Sequence, residues 1–564
     1  MTRVAVFFVV VTLLVGVAGC GNGGGDGDYY YDLTVASTVG GSVIEPGEGD
    51  FDYAANTTVD LVAEADEHYH FVNWTGDVAT IGNVASAATN ITMYSGYSIT
   101  ANFELDPGCY SLTISGEGGS VITPGEGTFG YVANTTVDLV AEPDEGYPFL
   151  KWAGDVGTIA DVQAAATNIT MYDSYSITAH FGIQIWDWYG LDAMHDNLGG
   201  RYYLMTDIDS TAAGYEQLVA NSTDIEGKGW LPIGDSKDTA FNGTLDGQGY
   251  KIRDMFIYRP TKTSVGLFGY LGEGGIIRNI SMLNADVEGE SEVGGLVGQN
   301  QWGSVSNSYF IGNVTGEFAV GGLAGLNVGT VRDSHFIGNV TVDQIGGGLV
   351  GENEGGTVKD SYSSSNVHGL ELIGGLVGHI FGGTVNNCYS TGSVAGYGGI
   401  GGLVGYIGWG TVSKSYSTGS VTGGNVVGGL VGAMSEDGFS SIISYSYSTG
   451  NVTGDSHVGG LVGSILNDES TVHDSYSTGS VTGSDTVGGL VAKNQGTVTN
   501  SFWNIQTSGQ ATSDGGTGKT TGEMQSIATF SAWNIIAVGD PGTRNPVYIW
   551  NIVDDETYPF LSWQ

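Results

Sequence analysis

Positive charge is scarce in this chain. Its 564 residues include 16 Lys and Arg against 60 Asp and Glu, a formal net charge of −44. A surface so negative repels phosphate backbones and excludes nucleic acid as a natural partner. Cysteine is nearly absent: Cys20, Cys109 and Cys388 are the full set, too few for a disulfide framework. Proline is held to 10 residues, and the 97 glycines follow no three-residue period. That excludes a collagen-like triple helix and points to turns. Charged residues make up only 13% of the chain and hydrophobic ones 40%, the reverse of what disorder requires.

Long apolar runs are confined to the start. "MTRVAVFFVVVTLLVGVAGC" has a basic residue at Arg3, an apolar stretch from Val4 to Val17 and small residues before Cys20. The stretch is too short to span a bilayer and has the flanks of a secretory signal. "VAGC" resembles a bacterial lipobox. The resemblance implies a signal peptide over 1–19, lipid attachment at Cys20, and exposure outside the cell. With Gly21 after the cysteine, it also implies the outer membrane in a two-membrane cell. Residues 20–30, with "GNGGGDGD", read as a flexible tether.

Residues 31–105 and 109–182 contain one unit twice. "GGSVIEPGEGDFDYAANTTVDLVAEADEHYHFVNWTGDV" returns as "GGSVITPGEGTFGYVANTTVDLVAEPDEGYPFLKWAGDV". Segments such as "TVDLVAEA" and "YSITANF" alternate apolar and polar residues, as half-buried strands do. Trp74 and Trp152 take matched places and read as core anchors. The pattern resembles the divergent InlB-type B-repeat of bacterial surface proteins, which implies small β-rich spacers. His68 and His70 would alternate on one strand face, within reach of a metal. Their counterparts Gly146 and Pro148 could not bind one, so no metal site is assigned.

From 265 to 503 a shorter phrase recurs. Gly-Leu-x-Gly-like units place leucines at 267, 296, 323, 349, 376, 403, 430, 461 and 490, mostly 26 or 27 residues apart. A fixed period of this size signals stacked repeats. The glycine load and the lack of a 3.6-residue rhythm exclude helix. Each unit offers three β-prone pieces, "GGLVG", "GTVSKSYS" and "GSVTG" in one coil, so the expected fold is a parallel β-helix. At about 4.8 Å per coil, nine coils would span roughly 40 Å. Leu403, Val412 and Val421 would then lie over Leu376, Val385 and Val394 of the preceding coil. The phrase resembles the GLUG motif of secreted and surface bacterial proteins, including adhesins and regions of immunoglobulin A peptidases. That resemblance implies a β-helical stalk or binding surface without catalytic residues. Residues 183–264 read as an N-terminal cap with the first strands. Residues 504–564, rich in bulky aromatics, read as a C-terminal cap over the open strand edges.

Chemistry has few places to hide. One position in each coil, before Ser-Tyr or its variants Ser-His, Cys-Tyr and Ser-Phe, holds Asn307, Asp333, Asp360, Asn387, Lys414, Tyr445, Asp474 or Asn500. Asp333 and Asp360 would stand one coil apart, near the separation a retaining glycosidase needs. Asn and Asp are also the residues of tight turns, so a structural ladder is the expected role. A calcium ion between these aspartates would have the oxygen ligands it prefers, and is the alternative for a cofactor otherwise expected to be absent. "GGTGKTT" (515–521) lacks the first glycine of a phosphate loop. Cys388 occupies a position held elsewhere by Ser361, Ser415 and Ser475 and reads as an inward-facing, inert residue.

The expectation is an all-β, monomeric, lipid-anchored surface protein without catalytic residues. Its two modules would precede a solenoid that meets glycan or another surface through many weak contacts. The alternatives are a polysaccharide lyase or glycosidase on the same scaffold, and a purely structural envelope element.

Overall fold

The computed structural model describes residues 29–220, 228–435 and 439–564. The proposed signal peptide, Cys20 and all but the end of the tether lie outside these residues. The chain divides into two compact units, one holding both N-terminal modules and the other running from Gly182 to Gln564 with Glu145–Pro148.

Each module is a pair of facing sheets. In the first, β1 (Tyr30–Ser37), β3 (Gly49–Ala54), β5 (Tyr69–Gly76) and β7 (Tyr97–Leu105) form one sheet in the order β3-β1-β7-β5. The other contains β2 (Gly41–Glu45), β4 (Thr58–Ala65) and β6 (Ala88–Thr92) in the order β2-β4-β6. Strand β4 shows why: Val59, Leu61 and Ala63 are buried while Thr58, Asp60 and Glu64 face out, the two-residue alternation of a strand with one wet face. Trp74 fills the centre, and its indole N–H donates to the Ser86 carbonyl at 3.1 Å. The second module repeats the arrangement, with Trp152 donating to the Ala164 carbonyl at 3.0 Å.

From Ile183 onward the strands stack in parallel into a β-solenoid of roughly nine turns. Ile183–Ile185 pairs with Arg201–Leu204, which pairs with Thr244–Asp246 and then Ile276–Arg278. A short helix, Trp188–Asp192, begins at Asp187, whose carboxylate accepts from Gly190 N–H at 2.9 Å. It delivers Trp188 beside Trp230 in the core of the first turns.

Two long sheets, of 19 and 23 strands, make the solenoid walls. Like lies over like: Val377 pairs with Val404 and then Val431, Val385 with Val412, and Val394 with Val421. The leucines at 376 and 403 are completely buried. Two of the three sequence phrases are nevertheless cut differently from the strands. "GGLVG" straddles a corner, because Gly398–Gly401 belongs to one sheet and Val404–Ser413 to the other. "GTVSKSYS" straddles a second corner at Lys414. The first cut has a steric cause: a Cβ on Gly401 would run into the Val404 carbonyl, and one on Gly402 into the Gly429 carbonyl and the Ser417 hydroxyl. The glycine pair therefore allows the chain to turn hard against its own next strand.

The C-terminal residues do more than plug the last turn. Residues 512–517 cover it, with Asp514 N–H donating to the Val491 carbonyl and Thr517 N–H to Ser501. The chain then folds back along the outside of the solenoid. Two short helical turns (Thr521–Met524 and Ile527–Phe530) and a sheet of Ile535–Ala537, Trp550–Ile552 and Phe560–Leu561 enclose an aromatic cluster around Tyr447 and Tyr476.

Candidate functional site

The row before Ser-Tyr lies at a solenoid corner. Asn307, Asp333, Asp360, Asn387, Lys414, Tyr445, Asp474 and Asn500 all have left-handed backbone, with φ between 45° and 54°. Asn and Asp reach that region at lower cost than other side chains, which explains their dominance. Asp333 is paired with Arg332 at 2.7 Å and Asp360 with Lys359 at 3.2 Å. Asn387 also donates its side-chain N–H to Asp360 Oδ1 at 2.9 Å. Each carboxylate thus has a local structural partner.

Beneath this row runs a buried hydroxyl ladder. The N–H of Ser308 donates to Ser334 Oγ, that of Ser334 to Ser361 Oγ, and that of Ser415 to Ser446 Oγ, at 3.1–3.2 Å. Each hydroxyl in turn donates to a carbonyl two residues earlier, as Ser415 does to Ser413 at 2.7 Å. The ladder satisfies polar groups that the corner takes out of water. Cys388 is a rung of it. Its thiol is buried, donates weakly to the Asn386 carbonyl at 3.2 Å, and is pushed up to about 12 by burial. So high a value leaves no thiolate for chemistry.

Immediately after the corner stands a column of aromatic rings. Tyr309, His335, Tyr362, Tyr389, Tyr416, Tyr447 and Tyr476 stack one per coil, with centroids 4.5–5.0 Å apart and planes within 11° of parallel. Stacking hides the faces of the rings, so their edges meet solvent. Burial lowers the His335 pKa below the usual imidazole value and pushes the Tyr389 phenol up to about 12. Both shifts favour neutral rings.

The C-terminal fold covers the later half of this column. Tyr476 donates its hydroxyl to the Pro559 carbonyl at 2.6 Å, and Gln564 donates to the Tyr447 hydroxyl at 2.6 Å. Trp563 donates its indole N–H to the Lys414 carbonyl at 3.1 Å and tilts against Tyr389 and Tyr416. At this margin a groove of about 350 Å³ opens, lined by Asn387, Lys414, Val547, Tyr548, Ser562 and Trp563 among others. Beyond it Tyr362, His335 and Tyr309 remain half-buried and outside the C-terminal aromatic cluster, while Tyr389 meets that cluster at Trp563.

The other sheet carries features that the sequence reading missed. Inside, Asn300 donates to Asn327 and Asn327 to Asn353, each at 2.7 Å and fully buried. Outside, Phe381, Trp409 and Phe439 form consecutive ring contacts and are 42–48% exposed. The signal was present: "FGG", "GWG" and "GFS" fall where neighbouring coils have only short polar turns.

In the N-terminal modules, His68 is not on a strand face. It occupies a left-handed turn position with φ 67°, just before β5 begins at Tyr69. Its counterpart Gly146 has φ 86°, so the backbone demand is shared while the imidazole is not. His70 pairs instead with Asp106 at 3.0 Å. No cluster of three or more His, Cys, Asp or Glu suited to a metal occurs among the described residues. Among them, too, no helix is long and apolar enough to cross a membrane.

Comparison with known proteins accounts for both repeat types. Residues 31–107 and 110–184 match the divergent InlB B-repeat domain, and residues 289–315, 369–395 and 454–482 match the GLUG motif. The chain carries both. Halomucin of Haloquadratum walsbyi is 38% identical over 126 residues, 22% of this chain and 1% of that protein. A protein of Evansella cellulosilytica described as a Gly-rich membrane protein is 37% identical over 121 residues, 21% of this chain and 13% of that protein. Two solved structures described as immunoglobulin A1 proteases are also similar. One, from Bacteroides ovatus, is 18% identical with a TM-score of 0.32, covering 68% of this chain and 92% of its own. The other is 14% identical with a TM-score of 0.33, covering 60% and 24%. Scores that low carry no argument about the GLUG solenoid or its chemistry.

Proposed function

We propose that this is a cell-surface protein, lipid-anchored through Cys20, whose GLUG solenoid is a non-catalytic adhesive surface. The observation that carries the reading is the repeated outer face. The corner residues and the aromatic column recur once per coil over several turns. Such a surface offers many equivalent weak contacts rather than one deep site, and linked contacts gain through effective concentration. The names of the relatives, a mucin and a membrane protein, accord with a place at the cell boundary.

The enzymatic alternative would use Asp333 and Asp360, but each has a basic neighbour and a turn role to fill. Metabolic labelling with a fatty acid should mark the wild-type protein and not Cys20→Ser. Beads coated with the exported part should adhere to cells or their polysaccharides without releasing reducing ends. New reducing ends, lost in Asp333→Ala or Asp360→Ala, would establish the enzyme instead. Retention on no cell or glycan, together with ordered self-assembly, would favour the structural-element reading.

A further inference from the structure

The aromatic column is one continuous strip with two fates. Its later rungs, Tyr416, Tyr447 and Tyr476, are roofed by the C-terminal fold and Tyr389 touches its edge at Trp563, whereas Tyr362, His335 and Tyr309 lie outside it and are half-buried. The surface on which the protein docks its own aromatic segment therefore continues past the edge of that segment. At the edge lies the groove, with Trp563 as its wall.

The lining of this groove combines an aromatic wall with groups that serve hydroxyls. Asn387 offers an amide and Ser562 a hydroxyl, while Tyr548 and Trp563 supply apolar ring surface. Lys414 stands where most other coils have Asn or Asp, and its ammonium has no carboxylate within ion-pair distance among the described residues. A volume of about 350 Å³ lies at the small end of ligand sites, sufficient for a few sugar rings and too small for a protein segment of any length. The bare rungs beyond it recur at the coil spacing of about 4.8 Å, close to the length of a pyranose ring in an extended chain. Beside each ring stands one corner group: Asn307, Asp333, Asp360 or Asn387.

Charge narrows the ligand. The molecule's −44 repels polyanions. We propose that the groove at Trp563, with Tyr389 at its margin, and the uncovered rungs Tyr362, His335 and Tyr309 bind a neutral polysaccharide, one sugar residue per coil. This deepens the adhesive reading of the solenoid and rests on it.

The test is titration of the exported protein with neutral oligosaccharides of increasing length, following tryptophan emission and heat, with oligogalacturonate as the acidic arm. Affinity should rise with chain length until the bare rungs are spanned and then level off. Lys414→Asn installs the residue this corner holds in other coils, and Val547→Trp fills the groove from an exposed position. Each should weaken binding about tenfold or more with the melting midpoint unchanged. Trp409→Ala, in the other sheet, should leave binding intact. Affinity independent of length, wild-type binding by both groove variants, or preference for the acidic ligand would overturn the assignment. Adhesion of coated beads to cells, measured in parallel, separates the two claims. Adhesion without neutral-oligosaccharide binding removes this site and leaves the adhesive role standing, whereas loss of both removes the role as well.

Discussion

Ser415 shows how much a small side chain carries in this protein. Its hydroxyl donates to the Ser413 carbonyl and accepts from the Cys388 N–H at 3.1 Å. Ser415→Ala would leave that buried N–H unpaired and should cost about 1–3 kcal/mol, seen as a lower denaturation midpoint. Cys388→Ser restores the usual rung and should not be destabilising. A second residue-scale test concerns strain. Val426 is a β-branched residue with φ 56°, at a position where the preceding coil has Gly399 with φ 69°. Val426→Gly should therefore hold or raise the midpoint, by as much as about 1 kcal/mol. His335 adds a pH term. Its folded pKa lies below its unfolded value, so its stabilising contribution is complete above about pH 6.5 and is lost as the pH falls through the folded pKa. His335→Tyr, which copies the neighbouring rungs, should remove that part of the acid sensitivity in melting curves taken across the range.

At the scale of elements, the C-terminal fold and the aromatic column hold each other. Burial raises the phenol pKa of Tyr447 and takes Tyr476 well above the usual value. Folded pKa values above unfolded ones mean stability that is intact below about pH 10 and declines as the pH rises beyond it. Alkaline titration should thus show late, abrupt phenolate absorbance coinciding with loss of the C-terminal fold. Tyr476→Phe, which deletes the bond to Pro559 and cannot ionise, should lower the midpoint at neutral pH and make its alkaline decline shallower. None of this docking was legible in the sequence, since Trp563 and Lys414 are 149 residues apart and no local rule joins them. The coils, by contrast, were legible, because a repeated Val such as Val412 implies a Val385 beneath it. The exact corners were not. Strand propensity favours Val and Tyr, but the cuts are made by what a Cβ would strike at Gly401 and by the left-handed turn at Lys414. His68 misled for the same reason: alternation suggested a strand face where a turn needed positive φ.

At the scale of the whole molecule, two separately packed units should give more than one unfolding transition in calorimetry. The net charge of −44 concentrates repulsion on a compact chain. Added salt that screens it should raise the midpoints, most between low and physiological ionic strength. The candidate site was half legible. The Asn/Asp row and the recurring Ser-Tyr were visible as a pattern, whereas the groove depends on a distant segment folding back.

The uniform register has one more consequence. Cys388 and Ser415 are 27 residues apart, as are Tyr362 and Tyr389 and the Val377–Val404–Val431 series. Excising residues 377–403 would rejoin Leu376 to Val404 and return the inward valines, the corner serines and the stacked tyrosines to equivalent neighbours, at the loss of the Phe381–Trp409 contact. Recombination between such blocks in the coding DNA can therefore lengthen or shorten the polypeptide by whole turns, adjusting its reach while leaving both ends as they were.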